Sequence, residues 1–421
     1  MTSHQPSAVS HRPHHGDHGG PDHTSACRLS PAACRLVSVV IPTRNEEHTI
    51  AGCLGAVLAQ DYPAGRMEVL VVDGRSTDRT RAIVAELAAT DPHARVQLLD
   101  NPHRIASTAL NLGIRAARGE IIARVDGHTI LAPDYLRRCV ETLAVTGADN
   151  VGGLMRPQGH GYAGTCIALA TRSRLGIGNS RFHYDERGGE VETVYLGCFR
   201  RSIFERVGLF DEGLVRNQDD ELNDRIVAAG GRIWLSPHIR STYVGRNSFH
   251  ALWRQYYQYG YWKVRVLRRH PRARRLHHLA PAALVTSLSS SALFDVVQDQ
   301  ATKVDVVRAL SDRSRRPRHR SARGLPSPQA GAPRSRRPGR RRKPPVSVLA
   351  WGLYGAASLL AAMIVAARVG WRYLPGVLVA FWCLHTGYGT GFLAGLLAAP
   401  GRRDRPWIPR LDGHTSRPDT P

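Results

Sequence analysis

The sequence predicts an α/β domain on a doubly wound, mostly parallel sheet, followed by a C-terminal membrane helical hairpin. Three observations carry that expectation. Short apolar runs alternate with stretches of helical period through residue 130, and acidic residues stand where several of those runs stop. Two further runs, 346–367 and 374–397, are long enough to cross a bilayer.

Residues 37–41 are a continuous apolar run ending at Pro42, the pattern of a strand buried on both faces. A helix is expected at once, with Asn45 as N-cap, Glu46 and Glu47 in its first turn, and Ile50, Leu54, Val57 and Leu58 on one face. Residues 67–72 form the next strand, which runs directly into Asp73, and Thr77 or Asp78 caps a helix over 79–89. A strand over 96–99, a helix over 107–117 and a strand over 120–125 complete a βαβαβαβ series. Pro133 suits the first turn of another helix, whose Leu136, Val140 and Leu143 form one apolar stripe. Beyond it the alternation loosens into an α+β region through Val244.

A chain of 421 residues has room for a catalytic domain and an appendage. Its formal net charge is +24, but residues 313–343 hold about 13 Arg or Lys and no acid, so the excess is local. The seven cysteines, Cys27, Cys34, Cys53, Cys139, Cys166, Cys198 and Cys383, show no CxxC spacing and read as reduced, mostly buried thiols. Residues 1–35 carry His4, His11, His14, His15, His18 and His23 among Gly, Pro and Ser. They lack the apolar core of a signal peptide and are expected to be a disordered tail.

Residues 249–269 interleave Trp253, Tyr256, Tyr257, Tyr259, Tyr261 and Trp262 with Arg254, Lys263, Arg265, Arg268 and Arg269. Rings at headgroup level beside snorkelling cations suit a membrane interface. Residues 279–294 are a weaker apolar segment, marginal in length and centred on four serines. Residues 295–345 contain no Phe, Trp or Tyr and are rich in Arg, Pro and Ser, a composition that forms no core. Without an aromatic platform or a recognisable motif they offer nucleic acid nothing to stack on, and they read as a polybasic linker facing cytoplasmic lipid. Apolar segments break off at Phe294 and resume near Pro345, which is also what translation in a shifted frame would produce. The boundaries are therefore 1–35 tail, 36–245 catalytic domain, 246–294 interfacial helix and weak apolar segment, 295–345 linker, 346–397 hairpin and 398–421 polar tail.

Three acidic stations carry chemistry. Asp73 ends a strand, where a carboxylate can accept from ribose hydroxyls or a base N–H, or can cap its own turn. Asp126 and His128 place an oxygen and an imidazole ligand two residues apart, a pairing that Mn²⁺ tolerates and Mg²⁺ takes less readily. Asp219 and Asp220 open a helix with Leu222 and Ile226 inward, and adjacent helical residues do not share a face, so one of the two acids enters the site.

The segments VSVVIPTRNEE, VLVVDGRSTDRT, IIARVDGH and GLFDEGLVRNQDDELNDRI, in that order across residues 37–245, resemble the family 2 glycosyltransferases. The bacterial exopolysaccharide branch, of the succinoglycan glucosyltransferase kind, is the nearest likeness. The resemblance implies a GT-A type fold, a nucleoside-diphosphate sugar donor with UDP-sugars favoured, a divalent Mn²⁺ or Mg²⁺, and inversion at the anomeric carbon. On that mapping Pro42, Arg44, Glu46 and Asp73 border the nucleotide, and Asp126 and His128 occupy the metal motif. Asp219 is the base, with Asp220 as the substitute. Gln218 stands where the family usually has Glu, and His128 where it has Asp.

Processive members carry QxxRW after this point, whereas RQYYQYGYW stands here, which argues against a polymerising synthase. Gln255, Tyr256 and Trp262 in that segment are the expected acceptor and interface residues. The expected product is a non-processive transfer to a polyprenyl-linked saccharide in exopolysaccharide or cell-envelope glycan synthesis. The site would face the cytoplasm at the inner membrane. A metal-dependent nucleotidyltransferase, which would release pyrophosphate, and a non-enzymatic basic membrane-associated binding protein are the alternatives.

Overall fold

Four strands form the first half of the sheet, and the computed structural model describes them within residues 35–93, 95–178, 180–270, 276–315 and 345–398. β1 (Val37–Thr43), β2 (Met67–Asp73), β3 (Val96–Asp100) and β4 (Ile121–Arg124) lie in the order β3-β2-β1-β4, all parallel, as the alternation predicts. Helices α1 (Ile50–Leu58), α2 (Thr80–Thr90) and α3 (Ala106–Ala116) link them. Successive strand residues point to opposite faces. Val39, Ile41, Val69 and Val71 pack with Ile50 and Leu54 on one side, while Val40, Leu70 and Val72 pack with Leu110 and Ile114 on the other.

One helix starts later than its capping signal implies. Asn45 adopts a left-handed φ of 54°, and its Oδ1 accepts from Thr77 N at 2.9 Å. Glu46 N donates to Thr80 Oγ1 at 2.8 Å, so this segment ties the loop after β1 to the loop after β2, and α1 begins only at Ile50. Asp78 behaves as expected, accepting from Thr80 N at 3.0 Å at the start of α2.

The second half comprises β5 (Thr129–Leu131), α4 (Tyr135–Thr146), β6 (Asn150–Gln158), α5 (Gly161–Thr171), α6 (Arg174–Ile177), β7 (Gly189–Glu190), β8 (Tyr195–Arg200), α7 (Arg201–Val207), α8 (Gln218–Ala228) and β9 (Ile233–Val244). The sheet runs β3-β2-β1-β4-β8-β6-β9-β5, with β7 on β9. Here the mostly parallel expectation needs correcting. β8 is antiparallel to both β4 and β6, and β5 and β7 are antiparallel to β9, leaving β6 with β9 as the parallel pair. No strand, helix, strand crossover links β4 to β8, so nothing constrains that pair to be parallel.

The C-terminal part is helical: α9 (Phe249–Arg269), α10 (Leu276–Arg315), α11 (Val346–Val369) and α12 (Leu374–Leu397). Three helices are long and apolar enough to cross a membrane, over His278–Asp305, Val346–Val369 and Trp371–Leu397. The linker expectation is corrected in part, because α10 continues helical through Arg315. Asp295 on α10 accepts from Val346 N at 3.0 Å and Ser347 N at 2.8 Å, joining α10 to the start of α11. Residues 316–344, and the tails 1–34 and 399–421, lie outside the described residues. Within the described residues Cys53, Cys139, Cys166, Cys198 and Cys383 are free and buried, as expected.

The apolar helices are unequal. Of the most apolar window in each, 56% is buried within the protein for α12, against 17% for α10 and 11% for α11. The cause is a glycine face on α12. A Cβ on Gly387, Gly391 or Gly395 would lie 2.6, 2.0 or 2.7 Å from the carbonyl oxygens of Trp253, Tyr257 and Tyr261 respectively. Both helices advance four residues at each contact, so α12 runs alongside α9 with backbones in close approach. α11 packs on α12 through the stacked rings of Trp351 and Trp382, and His385 Nδ1 lies 2.9 Å from Tyr354 OH. His385 Nε2, 2.7 Å from Leu175 O, links this pair to α6.

Candidate active site

The carboxyl ends of the parallel strands converge on one crevice, the place where open α/β sheets bind ligands. Pro42 pairs with Val72 and Thr43 with Asp73 across β1 and β2. Asp73 is fully buried, accepting from Ser76 N at 3.0 Å and pairing with Arg81 Nη1 at 2.8 Å. Arg44 is exposed, its Nη1 3.4 Å from Arg104 O. Glu46 faces His128, with Oε1 3.0 Å from His128 Nδ1 and Oε2 accepting from Thr49 Oγ1 at 2.8 Å.

Asp126 lies two residues past Arg124, the last residue of β4, and the Arg124 guanidinium forks it. Nε lies 2.9 Å from Oδ1 and Nη2 3.2 Å from Oδ2. Burial pushes the Asp126 carboxyl up, but the Arg124 and His128 charges outweigh it and hold the group below its usual range. Burial likewise pulls the His128 imidazole down, and Glu46 and Asp126 overcome it, so His128 titrates higher than usual. Arg124 is nearly buried, and its Nη1 stands 3.7 Å from Asp219 Oδ2. Arg124 therefore stands between Asp126 and Asp219.

α8 begins at Gln218, one residue before the expected start at Asp219, with Leu222 and Ile226 buried as expected. The two acids at its start diverge. Asp219 faces Arg124, and burial raises its pKa, with Asp220 and Asp126 adding and Arg124 opposing. Asp220 instead accepts from Thr193 Oγ1 at 3.3 Å and lies 3.3 Å from Lys263 Nζ on α9.

α9 contributes a polar and aromatic wall. Gln255 Nε2 lies 2.8 Å from Tyr259 OH and 3.4 Å from Tyr243 OH, and the Tyr243 ring meets His128 edge-on at 5.3 Å. Tyr256 packs against Tyr259 at 5.4 Å. Trp262 is buried with Leu214 and Val266, under the Arg265 guanidinium at 4.8 Å, a packing position. Residues not singled out by the sequence also join the site. Arg216 acts on Asp126 and bonds Gln258, Tyr195 donates to or accepts from Thr129, and Arg124 bridges the acids. The signal for Arg124 was a charged residue closing an otherwise apolar strand.

Among the described residues no group of three or more His, Cys, Asp or Glu could hold a metal by itself. The donor set fits a cation shared with substrate: one carboxylate at Asp126 and the Nε2 of His128, with further positions left to diphosphate oxygens and water. Two buried polar atoms at this floor, Thr43 Oγ1 and Arg124 Nη1, have no hydrogen-bond partner. Such orphans are uncommon in finished cores and fit a surface completed by ligand.

Residues 38–208 match the family described as glycosyl transferase family 2. The chain is 33% identical over 261 residues to the succinoglycan biosynthesis protein ExoA of Rhizobium meliloti (strain 1021), covering 62% of this chain and 78% of that protein. It is 30% identical over 240 residues to the dolichyl N-acetyl-alpha-D-glucosaminyl phosphate 3-beta-D-2,3-diacetamido-2,3-dideoxy-beta-D-glucuronosyltransferase of Methanococcus voltae, covering 56% of this chain and 74% of that protein. Among solved structures, the mannosyltransferase PcManGT from Pyrobaculum calidifontis in complex with GDP-Man and Mn²⁺ aligns with a TM-score of 0.49 at 21% identity, over 85% of this chain and 87% of that one. The matched segment is the part that builds the crevice and brings Asp73 and Asp126 to it, and the chain accordingly belongs to glycosyl transferase family 2, a transferase on a GT-A type sheet.

Proposed function

We propose that the chain is an inverting, non-processive glycosyltransferase moving a hexose from a nucleoside-diphosphate sugar, UDP-sugars first, to a polyprenyl-linked saccharide. The work belongs to exopolysaccharide or cell-envelope glycan synthesis at the cytoplasmic face of the inner membrane. The observation that carries this reading is the pair of acids opening α8, which divide into one committed to Lys263 and one, Asp219, open to the cleft beside Arg124. A single carboxylate at the cleft supports direct displacement with inversion. A raised pKa brings that base nearer the operating pH, where it accepts a proton most usefully.

Asp219 takes the proton of the acceptor hydroxyl, and that oxygen attacks the anomeric carbon as the bond to the nucleoside diphosphate breaks. A divalent cation held by Asp126 and His128 would neutralise the developing diphosphate charge. Arg216, which already acts on Asp126, adds positive charge on the same side. Gln255, Tyr243 and Tyr259 form a hydrogen-bonding wall suited to the hydroxyls of the acceptor sugar. Two relatives named for succinoglycan biosynthesis and for transfer to a dolichyl phosphate sugar support a lipid-borne glycan acceptor. The segment in place of QxxRW supports a single transfer.

The test offers a panel of nucleotide sugars and a polyprenyl-linked acceptor to membranes carrying the chain, with Mn²⁺ or Mg²⁺. The expected products are a new glycoside and free nucleoside diphosphate, and Asp219→Asn lowers turnover about 10²- to 10⁴-fold with the fold retained. Pyrophosphate release would instead support nucleotidyl transfer. Undiminished turnover in Asp219→Asn would remove Asp219 from the role of base.

A further inference from the structure

Asp126 does not meet the cleft as a free carboxylate. One guanidinium engages both of its oxygens, Arg124 Nε at 2.9 Å and Nη2 at 3.2 Å. The remaining nitrogen, Nη1, is buried, makes no hydrogen bond and stands 3.7 Å from Asp219 Oδ2. That is an ion-pair distance but too long for a hydrogen bond. The only partial satisfaction of a buried, permanently charged group between two functional acids calls for a second arrangement in which Nη1 is paired.

We propose that Arg124 is the internal counter-cation of the metal station. In the nucleotide-free chain it neutralises Asp126, and when a divalent cation arrives with the diphosphate it yields Asp126 and closes on Asp219. The proposal rests on the reading of Asp126 as the metal and diphosphate acid. A guanidinium and a divalent cation repel strongly in a buried site, so they compete for the one carboxylate. A displacement on the order of 1 Å brings Nη1 to hydrogen-bond distance of Asp219. Arg124 is thus a positioning residue that couples the two stations: occupation of the first orients the base of the second. Metal alone must displace the bonded arginine with few ligands in return, whereas diphosphate oxygens make up the set.

Mn²⁺ binding to the detergent-solubilised full chain, read by electron paramagnetic resonance with and without UDP and without any sugar donor, tests this. Arg124→Gln is expected to bind Mn²⁺ alone at least about tenfold more tightly than wild type, and the gain on adding UDP shrinks. Arg124→Lys, which keeps the charge but loses the planar fork, falls between them and carries the test if Arg124→Gln does not fold. Arg232→Gln makes the same charge change at the exposed pair with Glu190 and is expected to leave Mn²⁺ affinity at the wild-type value. Folded Arg124 variants that bind Mn²⁺ no more tightly than wild type overturn the proposal, as does an equal gain in Arg232→Gln. The measurement needs no turnover, so a chain that behaves as expected with Mn²⁺ yet forms no glycoside with any donor overturns the transfer reading alone.

Discussion

Asp224 shows how one side chain couples α8 to pH. Its Oδ2 is buried without a partner, and burial raises its pKa to about 6, with Asp220 and Glu221 adding while Lys263 and His270 oppose. The folded chain therefore holds this proton where the unfolded chain has lost it. Stability contributed by the protonated group is present below about pH 4 and falls as pH rises through about 6. Partial exposure reduces the full linkage value of about 3 kcal/mol, so Asp224→Asn is expected to stabilise the chain by about 1 to 2 kcal/mol at pH 7.5 and by nothing near pH 4. Urea unfolding at the two pH values checks it, and an equal effect at both would assign the change to packing. At this scale the sequence showed the placement where it is local: Asp126 two residues from His128, and an adjacent acid pair on a helix whose two members point to different partners. It was not readable where partners are distant. Asp219 and Arg124 meet only because α8 returns to the end of β4, and Lys263 claims Asp220 from a helix whose basic residues looked like headgroup contacts.

At the scale of elements, parallel strands and their crossover helices were legible because each carries its own period and its own stop. The second half of the sheet was not, since β5 and β7 are short and the directions of β5, β7 and β8 are set by pairing. Likewise Asn45 has the composition of a cap but is recruited by Thr77 across a loop, a tertiary demand that overrides the local signal. The glycines of α12 looked merely small in an apolar run, and their role appears only beside α9. A Cβ at Gly391 would sit 2.0 Å from Tyr257 O, and a backbone oxygen cannot swing aside as a side chain can. Gly391→Leu is therefore expected to part α9 from α12 at a cost of about 2 kcal/mol or more, lowering the unfolding temperature in detergent. Gly355→Leu on α11, where an added Cβ meets nothing within 4 Å, is expected to leave it unchanged. Equal behaviour of the two variants would show that the helix pair does not depend on that close approach.

For the whole molecule, the division of labour follows the cores. The two largest apolar clusters draw only on residues up to Ile239, so the sheet with its flanking helices has its own interior. Two of the clusters beyond it join catalytic and C-terminal parts. Cys166, Ile167 and Ala170 of α5 are covered by α12, and Leu214, in the loop before α8, is buried against Trp262 and Val266 of α9. Asp73 and its neighbours are built entirely within the first half, whereas α8 is braced by Lys263 and by Asn217 Nδ2 donating to Tyr259 O at 2.9 Å. Removing everything after residue 245 should thus separate two functions that the intact chain combines. A fragment of residues 35–245 is expected to retain binding of a nucleoside diphosphate within about tenfold, because its pocket residues keep their packing. Transfer is expected to fall by about 10² or more, because a misplacement of about 1 Å in the base suffices for that loss. Calorimetry of UDP binding and glycoside formation, measured on the same preparation, distinguish the outcomes. Full transfer by the fragment would show that α9 anchors the enzyme without shaping its site, and loss of UDP binding together with transfer would show that the sheet depends on its C-terminal cover.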